Sequence, residues 1–281
     1  MQKILVTGSN GFIGGYILNA LSNMGYMDFG CGRGENKNIN FPYLKADLSS
    51  GAINININFD FIIHAAARSP KAPFNKYFAD NVIGTQNIIE FATRNNVKKI
   101  IYLSAVSAFG DIKEVLTESS PRNNPGDYGL TKYIAEKLIY SSGLNYDVYI
   151  LPGVIGKGCR DPYIMRLAED LYNGRDVNCY NSDGIFNNVL LVDDLLNFIV
   201  KRIESSDKSD VFLLGCAERM IMSKVVNILA EKLNSKSKIE FSRDIKGGFY
   251  LDIKRALKAG FCSSSIEKII NNVCDEVQRR N

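Results

Sequence analysis

The sequence predicts an α/β protein: a doubly wound parallel sheet followed by a smaller mixed α/β lobe. Three observations carry that prediction. Residues 3–7 form a short, largely β-branched apolar run that ends in a glycine-spaced turn and then a helical pattern. Further strand-like runs recur near 27–32, 60–64, 99–104 and 147–151. Each is separated by enough chain for a crossover, which implies parallel pairing through right-handed connections. From about residue 156 the pattern changes, and helices near 163–173, 193–204 and 222–234 mix with short strands such as Val177–Tyr180 and Val211–Leu214. The expected division is a first domain over 1–155 and a smaller lobe over 156–281 whose chain crosses back to the first.

The opening run is Val6-Thr7-Gly8-Ser9-Asn10-Gly11-Phe12-Ile13-Gly14. The helix after it should span about Phe12 to Met24, with Ile13, Tyr16, Ile17, Ala20 and Leu21 at helical spacing. Gly8, Gly11 and Gly14 are three apart. Glycines so placed allow a tight strand-to-helix turn, close approach of backbone to a pyrophosphate, and close helix-to-sheet packing. The helix N-terminus then offers free N–H groups and a partial positive charge to phosphates. This is the arrangement of a Rossmann dinucleotide site, in the spacing G-x-x-G-x-x-G rather than G-x-G-x-x-G. A carboxylate at the end of the second strand, Met27–Gly32, would hydrogen-bond a ribose 2′-OH. Gly32 stands there instead, and Arg33 follows, 19 residues after Gly14. A guanidinium grips a 2′-phosphate that a carboxylate would repel, so the expected cofactor is NADP(H) in preference to NAD(H).

Residues 34–58 read as a surface connection with Tyr43-Leu44 as a short strand, and 68–78 as a mobile loop near the substrate. Pro121, Pro125 and Gly126 mark a loop over 111–126. It leads into a helix holding Tyr128-Gly129-Leu130-Thr131-Lys132. Residues 252–260 suggest a short helix, and a C-terminal helix begins near Ser264. Tyr128 and Lys132 carry the chemistry. A free Tyr has a pKa near 10 and is a poor base at neutral pH. A Lys one helical turn away shares its face and favours the phenolate by its charge. Tyr128 would pass a proton to or from an oxygen while a nicotinamide carries the hydride.

Composition removes other classes. The 281 residues are 46% hydrophobic and 23% charged, ordinary for a soluble globular chain. A net charge of +4, without a basic block, does not favour nucleic acid. No apolar stretch approaches a membrane span, and the N-terminus enters a strand without a signal peptide. The six cysteines are scattered, without C-x-x-C, and read as free thiols in a reducing cytoplasm. His64 is the only histidine, which argues against a histidine metal site or a Ser-His-Asp hydrolase. No metal is expected.

On these motifs the chain resembles the extended short-chain dehydrogenase/reductase family, and within it the enzymes that modify nucleotide-sugars. Thr7 to Gly14 resembles the family's cofactor turn, with Gly8, Asn10, Gly11, Phe12, Ile13 and Gly14 as cofactor contacts. Asp47-Leu48 resembles the pair that contacts adenine, and His64-Ala65-Ala66-Ala67 the segment under the adenosine half. Asn81, opening a helix, resembles the structural Asn. Pro152 and Val154, in Leu151-Pro152-Gly153-Val154-Ile155-Gly156, resemble the stretch beside the nicotinamide. Tyr128 and Lys132 then serve both cofactor and chemistry. Leu191-Val192-Asp193-Asp194 resembles a motif linking the lobes.

The departures bear on substrate. Ala105 stands where relatives carry a Ser or Thr, so Ser107 is the first choice for the catalytic hydroxyl and Ser104 the second. Asn187 stands where relatives often have the Arg that reaches the substrate diphosphate, and Leu191 replaces a polar ring. Arg160, Arg166 and Arg175 are the candidate replacements. What the resemblance and the Arg33 signal imply is an NADPH-dependent reductase of a nucleotide-activated keto-sugar, plausibly a 4-keto-6-deoxyhexose, with Tyr128 as proton donor. The alternative is a nucleotide-sugar 4-epimerase with tightly bound NAD. The expected protein is cytoplasmic, pairs as a homodimer through the Tyr128 helix, and binds neither nucleic acid nor membrane.

Overall fold

The computed structural model describes residues 2–35, 41–51, 53, 56–68, 71–159, 162–205, 208–243 and 248–280. Two compact units emerge from the backbone contacts. The first comprises Met1–Gly110, Pro121–Ile150 and Ile199–Phe212, and the second Asp111–Ser120, Leu151–Phe198 and Leu213–Asn281. The expected division is 1–155 and 156–281, with the later chain crossing back to the first part. Residues 111–120 belong with the second unit, and 199–212 return to the first.

A seven-stranded sheet organises the first unit. From edge to edge its strands are Asp210–Leu213, Tyr146–Leu151, Lys99–Ala105, Phe61–His64, Lys3–Thr7, Met27–Gly32 and Tyr43–Lys45. The Lys3–Thr7 strand pairs in parallel with Met27–Gly32 on one side and Phe61–His64 on the other. Ile4, Leu5 and Val6 are fully buried, as are Ile62 and Ile63 beside them. Strands buried on both faces read as continuous apolar runs, which is why they were legible. The 211–214 strand, expected in the smaller lobe, instead forms an edge of this sheet as Asp210–Leu213. Its short apolar run shows that it is a strand but not which sheet it joins.

Chain order reverses about the Lys3–Thr7 strand, since the second strand lies on one side and the fourth on the other. A doubly wound sheet opens a crevice at the carboxyl ends of its strands at such a switch point. Gly8 and Ala65 follow the two strands that flank it.

Farther along the sheet, Asp147 is fully buried between two cations. Arg202 Nη2 lies 2.8 Å from Asp147 Oδ1, and Lys99 Nζ lies 3.3 Å from Oδ2. This cluster ties the returning segment 199–212 to two central strands.

In the stretch 68–78, of which 69 and 70 lie outside the described residues, the part from Phe74 on is not a plain loop. Phe74–Tyr77 is a helical turn that runs into a π turn over Phe78–Ile83 and then the helix Gly84–Arg94. Asn81 lies inside the π turn rather than at a helix start. Widened turns of this kind re-aim side chains and often mark functional sites.

The second unit has four two-stranded pairings. Gly153–Ile155 pairs in parallel with Val189–Leu191, and Val177–Cys179 with Ile239–Phe241. Phe249–Leu251 pairs in parallel with Glu114–Leu116, and Ile185–Phe186 pairs antiparallel with Met220–Ile221. Helices Tyr163–Tyr172, Met222–Lys232 and Ile266–Arg280 bury Leu171, Leu229 and Ile270. Glu276 on the last helix is 5% exposed and accepts the backbone N–H of Gly158 at 2.8 Å.

Candidate active site

The glycine turn is built as its spacing demands. Gly8 adopts φ +70°, and a Cβ there would lie 2.7 Å from Ala66 Cα. Only glycine allows that left-handed turn and that approach of two loops. A Cβ on Gly14 would lie 2.5 Å from Gly8 O, so the helix packs directly on the turn. The helix runs Phe12–Asn23 and has no capping side chain at Gly11. Its first N–H groups are therefore left for an anion.

Gly8, Gly11, Arg33, Asp47, Leu48, Ala65, Ala66 and Ala67 line a cleft of about 200 Å³ with Ser49 and Asp80. Eight of the expected cofactor residues thus meet in one place. Ser49 holds the Asp47 carboxyl below the usual carboxylate range by a side-chain hydrogen bond of 2.7 Å. A narrow cleft between glycine backbone and small side chains, with anion-binding N–H groups at one end, fits a dinucleotide. Asn10 is used otherwise: its Nδ2 donates to Glu35 O at 3.0 Å and to Tyr43 Oη at 2.9 Å, which braces the turn. Arg33 is also engaged. Its Nη1 lies 3.1 Å from both carboxylate oxygens of Asp80, which Arg68 Nε also contacts.

A directional chain of hydrogen bonds links this turn to the Asp127–Tyr140 helix. The N–H of Ala66 donates to Thr7 Oγ1 at 3.1 Å, and Thr7 Oγ1 lies 2.7 Å from His64 Nδ1. His64 Nε2 lies 3.0 Å from Thr85 Oγ1, which donates its own proton to Asn81 O at 2.6 Å. Thr85 has one proton and has spent it, so His64 carries its proton on Nε2 and accepts from Thr7 on Nδ1. Burial, with the charge of Lys132, pushes the His64 pKa down to about 3, and the ring is neutral. Asn81 accepts the N–H of Arg68 at 2.7 Å and donates to Thr131 Oγ1 at 3.0 Å. Thr131 donates to Tyr128 O at 2.9 Å.

Tyr128 stacks edge-on against Tyr77, with centroids 6.0 Å apart. Burial, and then Tyr77, pushes its pKa up to about 12. This reverses the expected direction. Burial also pushes the pKa of Lys132 down, to about 7. Lys132 is 2% exposed, donates to Leu103 O at 2.6 Å, and lies 4.2 Å from the Tyr102 ring centroid.

Of the two candidate hydroxyls, Ser104 is 3% exposed and donates to the buried Glu136 carboxylate, which Arg122 also holds. That commitment takes Ser104 away from a substrate. Ser107 is exposed, on a 3-10 turn over Val106–Phe109. A Cβ on Gly129 would lie 2.1 Å from Ser107 O, so this turn sits against the first turn of the Tyr128 helix. Glu136, one turn beyond Lys132, was missed. An acid at that spacing reads as an ordinary surface pair until its burial is known.

Pro152 and Val154 lie in the second unit, Val154 on the strand Gly153–Ile155. Asn187 is no diphosphate grip. Its Nδ2 donates to Cys216 O at 3.1 Å and Leu251 O at 2.9 Å, and its Oδ1 accepts the N–H of Leu251 at 2.8 Å. Leu191 is buried. Arg175 pairs with Asp170 at 2.7 Å, Arg166 is exposed on its helix, and Arg160 lies outside the described residues. The second unit has its own cleft of about 390 Å³, lined by Tyr163, Tyr180, Asn181, Asn188, Met222 and Phe249 among others and, among the described residues, by no charged side chain. Asn188 Oδ1 is buried there without a partner among the described residues. These residues come from distant segments, and no local pattern marks them.

Among the described residues there is no metal-binding cluster and no helix long and apolar enough to cross a membrane.

The family model described as "NAD dependent epimerase/dehydratase family" matches residues 4–215. The "Uncharacterized UDP-glucose epimerase YtcB" of Bacillus subtilis is 23% identical, over 91% of this chain and 90% of its own. A solved structure titled "MoeE5 in complex with UDP-glucose and NAD" aligns with TM-score 0.83 at 23% identity, covering 99% of each chain. The UDP-glucose 4-epimerase of Thermotoga maritima, solved with UDP-glucose, aligns with TM-score 0.80 at 22% identity, covering 99% of each chain.

Proposed function

The chain belongs to the NAD dependent epimerase/dehydratase family, and on that footing we propose that it is a nucleotide-sugar 4-epimerase that keeps NAD bound. The carrying observation is the pairing of Arg33 with Asp80. Arg33 was the reason to expect NADP(H), and with its charge matched by a carboxylate the cleft favours an unphosphorylated ribose. A cofactor recycled within one catalytic cycle suits an epimerase, whereas the expected reductase must exchange NADPH every turnover. Relatives solved with NAD and UDP-glucose point the same way.

The glycine turn and the cleft beside it would hold the dinucleotide, whose nicotinamide would supply hydride chemistry at the sugar carbon. The residues of this chain manage the proton. Tyr128 Oη takes the proton of the sugar hydroxyl and gives it back to the ketone oxygen. Burial pushes the Lys132 pKa down to about 7; an anionic ligand beside it would favour its charged form, which in turn favours the Tyr128 phenolate. Ser107 supplies a hydrogen bond to the reacting oxygen. The cleft of the second unit, lined among the described residues by no charged side chain and bordered by the buried Asn188 Oδ1, suits an uncharged ring such as a nucleobase. A homodimer through the Tyr128 helix belongs to the same proposal, and light scattering checks it: a mass of one 31.3 kDa chain in solution contradicts it.

The test is to incubate purified protein with UDP-glucose, without added cofactor, and to look for UDP-galactose. Interconversion that is lost in Tyr128→Phe supports the reading. Consumption of NADPH with a nucleotide-4-keto-sugar, and no interconversion, returns the assignment to the reductase.

A further inference from the structure

We propose that Asp80 sets cofactor selectivity: by pairing with Arg33 it turns a would-be 2′-phosphate grip into a seat for a plain ribose. The inference rests on reading the 200 Å³ cleft as the adenosine end of the dinucleotide site.

Arg33 is the cation that a 2′-phosphate would need, since it lines the cleft directly after the second strand. Its Nη1 sits 3.1 Å from both oxygens of Asp80. Asp80 also receives Arg68 Nε, so one carboxylate serves two guanidinium groups. The Asp80 side chain is 11% exposed while that of Arg33 is 49% exposed. The carboxylate is therefore the fixed member, and the arginine lies against it.

The placement of Asp80 has a cause in the backbone. It lies in the π turn Phe78–Ile83, one residue before the buried Asn81. The Asn81 side chain accepts the N–H of Arg68 at 2.7 Å and donates to Thr131 at 3.0 Å. That amide locks the turn and the start of the Arg68 segment together, which aims Asp80 at both arginines.

The charges then decide. Arg33 and Arg68 supply two positive charges, and Asp80 and Asp47 two negative ones. A phosphate adds about two more negative charges. Gripping it would pull Arg33 off Asp80 and leave that carboxylate facing the phosphate, with repulsion in place of attraction. A ribose hydroxyl carries no charge and makes no such demand. Because Arg33 is half exposed, solvent screens the pair. The effect is a preference and not an absolute exclusion.

Equilibration of the purified protein with an equimolar mixture of NAD⁺ and NADP⁺, followed by denaturation and chromatography of what was bound, reads the preference directly. Wild type should hold mainly NAD⁺. Asp80→Asn keeps the shape and removes the charge, and should raise the bound NADP⁺-to-NAD⁺ ratio by about tenfold or more. Adding Arg33→Ala to it should cancel that gain. An unchanged ratio in Asp80→Asn overturns the proposal, as does a wild type that already holds mainly NADP⁺. Should Asp80→Asn fail to fold, Arg33→Ala alone decides. If Asp80 already masks Arg33, the ratio moves by less than about threefold, whereas a tenfold loss of NADP⁺ shows a working phosphate grip and refutes the proposal. A wild type that binds neither dinucleotide removes the cleft assignment and the proposal with it. No sugar enters the experiment, so it fails separately from the epimerase reading.

Discussion

Two lysines in the first unit are almost equally buried, Lys99 at 1% and Lys132 at 2% exposed, yet their surroundings differ in kind. Lys99 faces a carboxylate, Asp147, which Arg202 also holds. Lys132 faces a backbone carbonyl and an aromatic ring, with the Glu136 carboxylate drawn away to Ser104 and Arg122. A buried cation with its counter-ion is structural. One that lacks a close counter-ion has its proton loosened and becomes useful near neutral pH. The comparison shows how one fold spends the same residue in two ways.

The largest expected effect is on turnover. Tyr128→Phe should lower it by about a thousandfold, and Lys132→Met by about a hundredfold, with little change in melting temperature. A large fall in melting temperature for Lys132→Met would place that lysine with Lys99 as a structural group. The next effect falls on stability. Asp147→Ala removes the carboxylate that Lys99 and Arg202 share and should cost about 3–5 kcal/mol in denaturant unfolding, with turnover per folded molecule preserved. A loss below about 1 kcal/mol would show that the cluster is not holding the segment 199–212.

Asn187→Arg sharpens the departure in the second unit. It should cost about 1–3 kcal/mol, because three buried hydrogen bonds are lost, and it should not tighten substrate binding. A variant that stays stable and binds UDP more tightly would mean that the position is still a diphosphate site.

A pH slope offers a further test. The Lys132 pKa is about 7 in the folded chain and 10.5 as a free side chain. Between about pH 7 and 10 the unfolded chain keeps that proton while the folded chain has released it, so stability rises with pH in this window. The slope from this one group is at most about 1.4 kcal/mol per pH unit. Unfolding free energies of wild type and Lys132→Met across that window should diverge by this slope. Parallel curves would show that Lys132 stays charged in the folded chain.

The sheet and the glycine cleft were legible because both are local. Continuous apolar runs mark buried parallel strands, and Gly8, Gly11 and Gly14 act through backbone within one turn. Whatever depends on burial or on distant partners was not legible. Arg33 reads in sequence as an unmatched cation, and its contact with Asp80, 47 positions away, is not visible there. Sequence ranks Ser107 ahead of Ser104 but does not show that Ser104 is buried against Glu136. The expected lowering of the Tyr128 pKa failed for the same reason, since spacing gives the neighbour but not the desolvation. The second unit's cleft has no signature, because Tyr163, Tyr180, Asn188 and Phe249 meet only after folding.

The claim that a hydride leaves and returns within one bound cofactor has a direct isotopic test. UDP-glucose deuterated at C4 is incubated with the purified protein and no added nicotinamide. The account predicts UDP-galactose with deuterium retained at C4. Product that has lost the deuterium, or the absence of product unless NADPH is supplied, would contradict it.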